Sequence, residues 1–302
     1  ADDALSTLYL AWRRPVILAP AMNTAMYEHP AYRATEATLR ERGVEFVDPE
    51  PGSLACGEEG AGRLADVATI LRAVEGCLLK SGPLRGRRVL VTAGPTREHI
   101  DPVRYITNPS SGKMGFALAE AAVRMGAQVT VVAGPIALET PPGIERIDVT
   151  DAEEMAAAVL SRCDDFDLLI FAAAVADYTP ETRADRKIKK SGDFSSIPLR
   201  RTPDIAGAFA ERKRDSQVSV GFAVDTDNAL ETAREKMRKK NFDLLFANPL
   251  DGSDSAFGAD TNRGWLIRSD GEPETLDRAS KSDIADRIMV QAADILRTRR
   301  GE

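Results

Sequence analysis

The side chains best suited to chemistry lie together in one polar stretch, residues 92–113. They are hydroxyl, amide, acidic and basic groups: Thr92, Thr96, Arg97, Asp101, Arg104, Asn108, Ser110, Ser111 and Lys113. Gly112 precedes Lys113, and backbone amides at this point would begin a helix, a position that favours an anion. Polar loops of this length in a compact domain are usually functional. We therefore predict a site for a negatively charged ligand, the alternative being an ordinary solvated loop.

The stretch matches neither of two common nucleotide-binding motifs. Thr107 stands where a Walker A motif requires its first Gly, and Met114 replaces the Ser or Thr at its end. The G-x-G-x-x-G pattern of dinucleotide-binding proteins does not fit either. These residues alone therefore leave the kind of anion open.

Alternating apolar runs and amphipathic segments surround the polar stretch. Their spacing predicts strands over residues 89–93, 128–133, 167–172, 217–223, 242–247 and 265–268. It predicts helices over residues 115–126, 152–162, 228–240 and 281–297. This alternation is typical of an α/β fold with a Rossmann-like, doubly wound, mostly parallel sheet. Ligands of such sheets bind at the carboxyl ends of the strands, where the polar stretch would lie.

Three other strand ends would place polar or aromatic groups at the same edge of the sheet. Asp177 and Asn248 follow two of the predicted strands, and Phe222 lies at the end of a third. Basic side chains accompany them in a cluster over residues 187–190 and at Lys236 and Lys240, which are i,i+4 neighbours on a helix. We expect the lysines to converge on a triphosphate. The alternatives are solvated lysines, a turn cap at Asp177 and a core position for Phe222.

Composition limits the classes of function. The 302 residues are 43% hydrophobic and 29% charged with a net charge of -7, which predicts a folded chain and disfavours general nucleic-acid binding. No apolar run is long enough to span a bilayer. Three scattered cysteines indicate a reduced, cytoplasmic setting, and with only His29 and His99 a zinc site is not expected.

The first part of the chain has a different organisation from the rest. Residues 1–80 hold only short strands and helices around a Gly-rich stretch at 51–62, too little to close a doubly wound domain. We predict that residues 1–80 are the carboxyl-terminal remnant of a domain whose front is absent. Residues 80–86 are a plausible linker, and residues 81–302 would form a second domain.

Several long motifs together resemble a known family. Four of them closely resemble phosphopantothenate–cysteine ligase: residues 94–98 (GPTRE), 106–115 (ITNPSSGKMG), 172–178 (AAAVADY) and 187–190 (KIKK). Two earlier ones, 20–26 (PAMNTAM) and 54–64 (LACGEEGAGRL), resemble the end of a flavodoxin-like phosphopantothenoylcysteine decarboxylase. Their order is similar to that of the bacterial bifunctional coenzyme A biosynthesis proteins, and the resemblance covers essentially the whole chain.

For the second domain, the resemblance implies ligation of 4′-phosphopantothenate to L-cysteine with CTP. The substrate carboxylate attacks the α-phosphate of CTP, and the cysteine amine then attacks the resulting acyl-cytidylate. Mg²⁺ would accompany CTP with metal ligands left unassigned, because it binds mainly to phosphate oxygens. The resemblance also implies a homodimer through this domain, and a higher homo-oligomer where the decarboxylase domain is complete.

The resemblance assigns roles to individual residues of the ligase half. Asn108 would contact the acyl-cytidylate, Arg104 would place phosphopantothenate, and Lys187 would offset phosphate charge in the first step. Residues matched to CTP binding are Ser111, Gly112, Lys113, Asp177, Lys187, Pro203, Asp204, Ile205, Ala206, Phe222, Lys236 and Lys240.

For the first domain, the resemblance implies an FMN-dependent decarboxylation of the ligase product. Asn23 would contact the substrate carboxylate and Cys56 would protonate the enethiolate, a step suited to a thiol. The catalytic histidine and the flavin-phosphate loop belong to the front segment of the family pattern. We therefore expect neither FMN binding nor decarboxylation from this chain.

Two other functions stay open at this point. A doubly wound sheet also suits a nicotinamide-dependent oxidoreductase, although the glycine fingerprint and its ribose-binding acid are missing. A non-enzymatic, flavoprotein-like binding or regulatory subunit is the second alternative, which the ligase motifs disfavour.

Overall fold

A computed structural model describes residues 3–13, 15–53, 59–189, 196–225, 229–249, 258–269 and 271–301. The chain divides into two compact units, Ala1–Gly82 and Pro83–Glu302. Among the described residues no helix is both long and apolar enough to cross a membrane.

Short elements make up the first unit. In chain order they are α1 (Ala4–Ala11), β1 (Ile17–Leu18), α2 (Thr24–Tyr27), α3 (Pro30–Glu41), β2 (Glu45–Phe46), β3 (Glu50–Ser53), β4 (Glu59–Arg63) and α4 (Val67–Ser81). Strand β1 pairs in parallel with β2, whereas β3 and β4 are antiparallel. Both ends of the predicted Gly-rich loop, residues 51–62, are therefore paired strands, and Cys56 between them lies outside the described residues.

The second unit alternates strands and helices, as the sequence predicts. Its strands are β5 (Arg88–Ala93), β6 (Arg97–His99), β7 (Tyr105–Thr107), β8 (Gln128–Ala133), β9 (Ile144–Asp148), β10 (Leu168–Phe171), β11 (Tyr178–Pro180), β12 (Leu199–Arg201), β13 (Val218–Asp225), β14 (Leu244–Pro249), β15 (Thr261–Arg268) and β16 (Glu274–Ser280). Its helices are α5 (Lys113–Arg124), α6 (Ala152–Leu160), α7 (Ile205–Ala210), α8 (Ala229–Lys239) and α9 (Lys281–Arg300), with a 3₁₀ turn at Cys163–Asp165.

Eight of these strands form one sheet in the order β16-β15-β14-β13-β10-β5-β8-β9. The six strands β14, β13, β10, β5, β8 and β9 pair in parallel with their neighbours. The edge strands β15 and β16 are added by antiparallel pairing, β14 with β15 and β15 with β16. Successive residues of β5 serve opposite faces: Val89 and Val91 belong to one core cluster and Leu90 to another, all with 0% exposure. Burial on both faces explains why the strand reads as a continuous apolar run. The predicted α/β class with a mostly parallel sheet is confirmed.

Several local predictions were wrong. The polar stretch after β5 is not an uninterrupted loop, because β6 and β7 pair as an antiparallel hairpin inside it. Strands β9, β11, β12 and β16 and helix α7 were missed. The three-residue strands β11 and β12 and the six-residue helix α7 are too short to show a hydrophobic period, and β9 and β16 are mostly polar and hold no apolar run. Strand β13 runs two residues beyond its predicted end at residue 223, because pairing with β14 extends it to Asp225, and Phe222 therefore lies well inside the strand.

Candidate functional site

Two adjoining cavities open where the central parallel strands end. The aromatic cavity, about 490 Å³, is lined by three phenylalanines and four cations: Phe171, Phe222, Phe242, Arg201, Lys236, Lys239 and Lys240. The helix-end cavity, about 440 Å³, is lined by residues 108–115 at the start of α5 and by Asn248, Asn262 and Lys281. Five residues line both cavities: Ala173, Val175, Asp177, Phe222 and Lys236. The two cavities therefore meet along one wall.

Lys236 lies on this shared wall. Its Nζ donates a hydrogen bond to the Phe222 carbonyl at 2.7 Å. Part of the side chain is exposed, but the ammonium lies among the cavity residues, and desolvation lowers its pKa while Asp177 acts in the opposite direction. An ammonium on the wall between two cavities is well placed to bind an anion.

We expect Lys236→Met to weaken nucleotide binding. Loss of one charge-assisted contact should raise the KM for the nucleotide about tenfold. Steady-state kinetics with varied nucleotide measure this change. The control is Arg238→Met, which removes an exposed cation from the same helix outside both cavities. Equal nucleotide KM values in Lys236→Met and the unmodified chain would contradict the assignment.

Residues 203–206 form the edge of the aromatic cavity where α7 begins. Asp204 caps α7, since its Oδ1 accepts a hydrogen bond from the Gly207 N–H at 3.0 Å. Its Oδ2 forms an ion pair with Lys240. The ion pair ties the end of the α8 segment to the start of α7. The structure therefore brings together Asp177, Phe222, Lys236, Lys240 and residues 203–206, all of which the sequence predicts to bind nucleotide.

Residues 108–113 line the helix-end cavity. Gly112 takes a left-handed conformation with φ of 76° at the cap of α5, which favours glycine. Lys113 Nζ donates to Asp260 Oδ1 at 2.6 Å, so it already has a carboxylate partner. Asn108 Nδ2 donates to the Val175 carbonyl at 3.0 Å and thereby joins the loop after β7 to the segment after β10. Asn108, Ser111, Gly112 and Lys113 thus converge as predicted.

Arg104 and Lys187 are placed differently. Both are exposed and lie outside the linings of the two cavities. Arg104 Nη2 donates to the carbonyl of Ile188, the residue directly after Lys187, at 3.0 Å. Arg104 and Lys187 therefore belong to one local cluster. Buried Asp101 organises this cluster. It accepts hydrogen bonds from the Ile188 N–H at 3.1 Å and from Arg104 Nε at 3.0 Å.

In the first unit, Asn23 has a structural role. Its Oδ1 accepts a hydrogen bond from the Met26 N–H at 2.8 Å and caps α2. Cys56, the other residue that the resemblance assigns to decarboxylation, lies outside the described residues. The predicted roles of Asn23 and Cys56 therefore stay predictions.

Sequence reasoning missed several residues that line the cavities. Arg201 and Lys239 line the aromatic cavity, and Asn262 and Lys281 line the helix-end cavity. Lys239 and Lys281 lie on predicted helices, but helical periodicity does not tell which flank faces a ligand. Among the described residues no group of three or more His, Cys, Asp or Glu side chains could hold a metal ion.

Comparison with known proteins identifies the family. Residues 84–296 match the family described as DNA/pantothenate metabolism flavoprotein C-terminal domain, and residues 1–79 match the flavoprotein family. The coenzyme A biosynthesis bifunctional protein CoaBC of Bacillus subtilis (strain 168) is 45% identical over 97% of this chain and 73% of its own length. A cysteine/cysteine sulfinic acid decarboxylase from an unknown prokaryotic organism is 42% identical over 98% of this chain and 82% of its own length.

Solved structures agree with the sequence comparison. The crystal structure of the C-terminal domain of a CoaBC protein is 39% identical, with a TM-score of 0.62 over 72% of this chain and all of that domain. The resemblance predicted from the motifs is confirmed. Motif order, fold and overall similarity lead to one conclusion: this chain belongs to the family of coenzyme A biosynthesis bifunctional proteins CoaBC.

Proposed function

We propose that residues 81–302 join 4′-phosphopantothenate to L-cysteine at the expense of CTP. The substrate carboxylate attacks the α-phosphate of CTP, and the bond to the leaving pyrophosphate breaks. The cysteine amine then attacks the carbonyl carbon of the acyl-cytidylate, loses a proton and releases CMP. Residues 1–80 correspond to part of the decarboxylase domain of the same family.

The observation that carries this proposal is the shared wall between the two cavities. Aromatic rings suit the base of a nucleotide, and the amides and lysine at the start of α5 suit its phosphates. A nucleotide lying across Phe222, Lys236 and Asp177 would place its base in the aromatic cavity and its phosphates in the helix-end cavity. The α-phosphate would then lie near the shared wall, where both reactants can meet.

The residues around that wall supply positioning and charge. Lys236 offsets negative charge on the phosphates. Asn108, already fixed by the Val175 carbonyl, lies in the helix-end cavity with an amide that can contact the reacting acyl group. Asp177 lines both cavities and is the carboxylate best placed to hold Mg²⁺ together with phosphate oxygens. Bound Mg²⁺ would supply further neutralisation of the polyphosphate.

Arg104 and Lys187 lie outside the linings of the two cavities but belong to the proposed site. Asp101 and Ile188 hold them in one cluster. We propose that this cluster contacts the phosphopantothenate end of the bound reactants. Its exposed guanidinium and ammonium groups suit a phosphate or carboxylate.

We expect the chain to release pyrophosphate from CTP when 4′-phosphopantothenate and Mg²⁺ are present. CTP should be preferred over ATP, and CMP with the cysteine conjugate should appear only after cysteine is added. A coupled pyrophosphate assay and mass spectrometry of the products measure both steps. Absence of pyrophosphate release with either nucleotide would favour a binding or regulatory role instead. Tight NADPH binding without CTP binding would favour an oxidoreductase.

Decarboxylation of the ligase product is the second activity of the proposed scheme. The match of residues 1–79 to the flavoprotein family supports FMN as its cofactor. We propose that residues 1–80 take part in this FMN-dependent decarboxylation. A protein that purifies without flavin absorbance and releases no carbon dioxide from the ligase product would contradict this part of the proposal.

A further inference from the structure

Thr96 is a buried residue next to the shared wall of the two cavities. It has 0% exposure and lies outside both cavity linings. The parallel pairing of β5 with β10 places it there, because this pairing continues past both strand ends in a bridge between Pro95 and Ala174. Thr96 follows that bridge, and its Oγ1 accepts a hydrogen bond from the Ala176 N–H at 3.0 Å.

The peptide group between Val175 and Ala176 is held at both of its polar atoms. Its N–H belongs to Ala176 and donates to Thr96 Oγ1. Its carbonyl belongs to Val175 and accepts the hydrogen bond from Asn108 Nδ2 at 3.0 Å. A peptide group is planar and rigid, so a contact that fixes its N–H also fixes the direction of its carbonyl. The Thr96 hydroxyl therefore determines where the carbonyl that anchors Asn108 points.

A second contact of Thr96 reaches the loop that carries Asn108. Thr107 Oγ1 donates to the Thr96 carbonyl at 2.7 Å, and Thr107 directly precedes Asn108 in the chain. This hydrogen bond and the two at the peptide group close a ring, the Thr96 ring. Both the backbone and the side-chain amide of Asn108 are thereby tied to Thr96. A fully satisfied network of this kind makes its members rigid.

Asp177, which also lies on the shared wall, is held by a different threonine. Thr202 Oγ1 donates to the Ala176 carbonyl at 2.6 Å, and the Thr202 N–H donates to the Asp177 carbonyl at 3.1 Å. Neither of these hydrogen bonds uses the Thr96 hydroxyl. We therefore expect loss of that hydroxyl to displace the Asn108 amide and to leave Asp177 in place.

We propose that Thr96 is a positioning residue for ligation, which orients the Asn108 amide through the peptide group between Val175 and Ala176. The proposal rests on the ligation function proposed above, in which the Asn108 amide contacts the reacting acyl group. Thr96 lies outside both cavities and acts only through Asn108. Its effect therefore falls on the rate at which bound reactants are converted, rather than on affinity for the nucleotide.

The kinetic test uses Thr96→Val, which keeps the branched shape of the side chain and removes the hydroxyl. We expect it to lower kcat for ligation about tenfold with the KM for CTP unchanged. Thr96→Ser restores a hydroxyl and should recover most of the lost rate. In a chain that already carries Asn108→Ala, Thr96→Val should cause no further loss, because the group that it orients is absent. A tenfold loss in both backgrounds, or a change confined to the KM for CTP, would overturn the proposal.

Amide hydrogen exchange tests the Thr96 ring without turnover. In a peptide that spans residues 172–178, Thr96→Val should speed exchange about fivefold, because the Ala176 N–H loses its acceptor. Thr96→Ser should leave this exchange unchanged. The control is Thr130→Val on β8, where a residue that is 5% exposed donates from Oγ1 to Glu145 Oε2 at 2.9 Å. The control should keep both the ligation rate and the exchange rate of residues 172–178.

The two measurements separate this proposal from the proposed function. Faster exchange in Thr96→Val, in a protein whose unmodified chain does not ligate, would count against ligation while confirming the Thr96 ring. Unchanged exchange, or a normal ligation rate in a folded Thr96→Val variant, would overturn the positioning role of Thr96. If Thr96→Val does not fold, as judged by circular dichroism, Thr96→Ala also removes the hydroxyl and takes its place.

Discussion

Replacing Asp101 by Asn is expected to lower the proposed CTP-dependent ligation by about 100-fold, because small displacements of positioning groups have effects of this size. Asp101 has 0% exposure, and its carboxylate is surrounded by backbone and guanidinium hydrogen-bond donors. It accepts hydrogen bonds from the N–H groups of Val103 and Arg104 at 2.8 Å each. It also binds the Arg104 guanidinium and the Ile188 N–H. One carboxylate therefore holds both Arg104 and the segment that carries Lys187.

Steady-state kinetics of Asp101→Asn measure the prediction. The control is Asp286→Asn, whose carboxylate pairs with Arg124 at 2.5 Å on an exposed surface. The control should keep full activity. An Asp101→Asn variant that folds and ligates at the normal rate would show that the Arg104 and Lys187 cluster does not act in ligation.

Asp101 should also contribute to the acid sensitivity of the fold. The Arg104 guanidinium, followed by backbone N–H donors, holds the pKa of Asp101 well below its ordinary value. As the pH falls below about 4, the unfolded chain takes up a proton at this position before the folded chain does. The contribution of Asp101 to stability is therefore fully present above the pKa that its carboxyl has in the unfolded chain. It is lost as the pH falls toward the lower pKa of the folded chain. Asp101→Asn should show a weaker loss of stability over this acidic range.

Replacing Asp243 by Asn is expected to lower the free energy of unfolding by about 3–5 kcal/mol, the cost of breaking a buried ion pair. Lys213 Nζ lies 2.6 Å from Asp243 Oδ2, and the two side chains are only 3% and 4% exposed. Arg299 pairs with the other carboxylate oxygen. Lys213 also donates to Ser219 Oγ at 2.8 Å and to the Asn241 carbonyl at 2.7 Å. Removing the carboxylate charge would leave two cations without their counter-ion.

Urea unfolding, followed by circular dichroism, measures this loss. Lys213→Met should cost less than Asp243→Asn, because Asp243 keeps Arg299 as its partner. Arg212→Met is the exposed control: it breaks the ion pair with Asp164 and should cost about 0–1 kcal/mol. A loss for Asp243→Asn no larger than for Arg212→Met would mean that the buried cluster does not stabilise the fold.

Much of the fold and of the family could be predicted from the sequence. Runs such as Val89–Val91 report burial on both faces of a sheet, because a strand covered by helices on both sides has no polar face. Long motifs around Asn108 and Asp177 carry the family resemblance, because a site loop needs particular side chains at fixed spacing. Asp177 and Phe222 converge, because the carboxyl ends of parallel strands lie along one edge, and Lys236 joins them from α8, the helix between β13 and β14.

Other features were decided only by the tertiary structure. Asn262 reaches the helix-end cavity from the antiparallel strand β15, and Lys281 reaches it from the terminal helix α9. Both elements lie far along the chain from the polar stretch. No local pattern encodes that approach, because it depends on the order of strands in the sheet. Conversely, Lys187 has a clear motif but lies outside both cavities, since hydrogen bonds to Asp101 and Arg104 fix its neighbour Ile188 elsewhere. Sequence therefore determined which elements and motifs this protein has, whereas long-range packing decided which side chains meet.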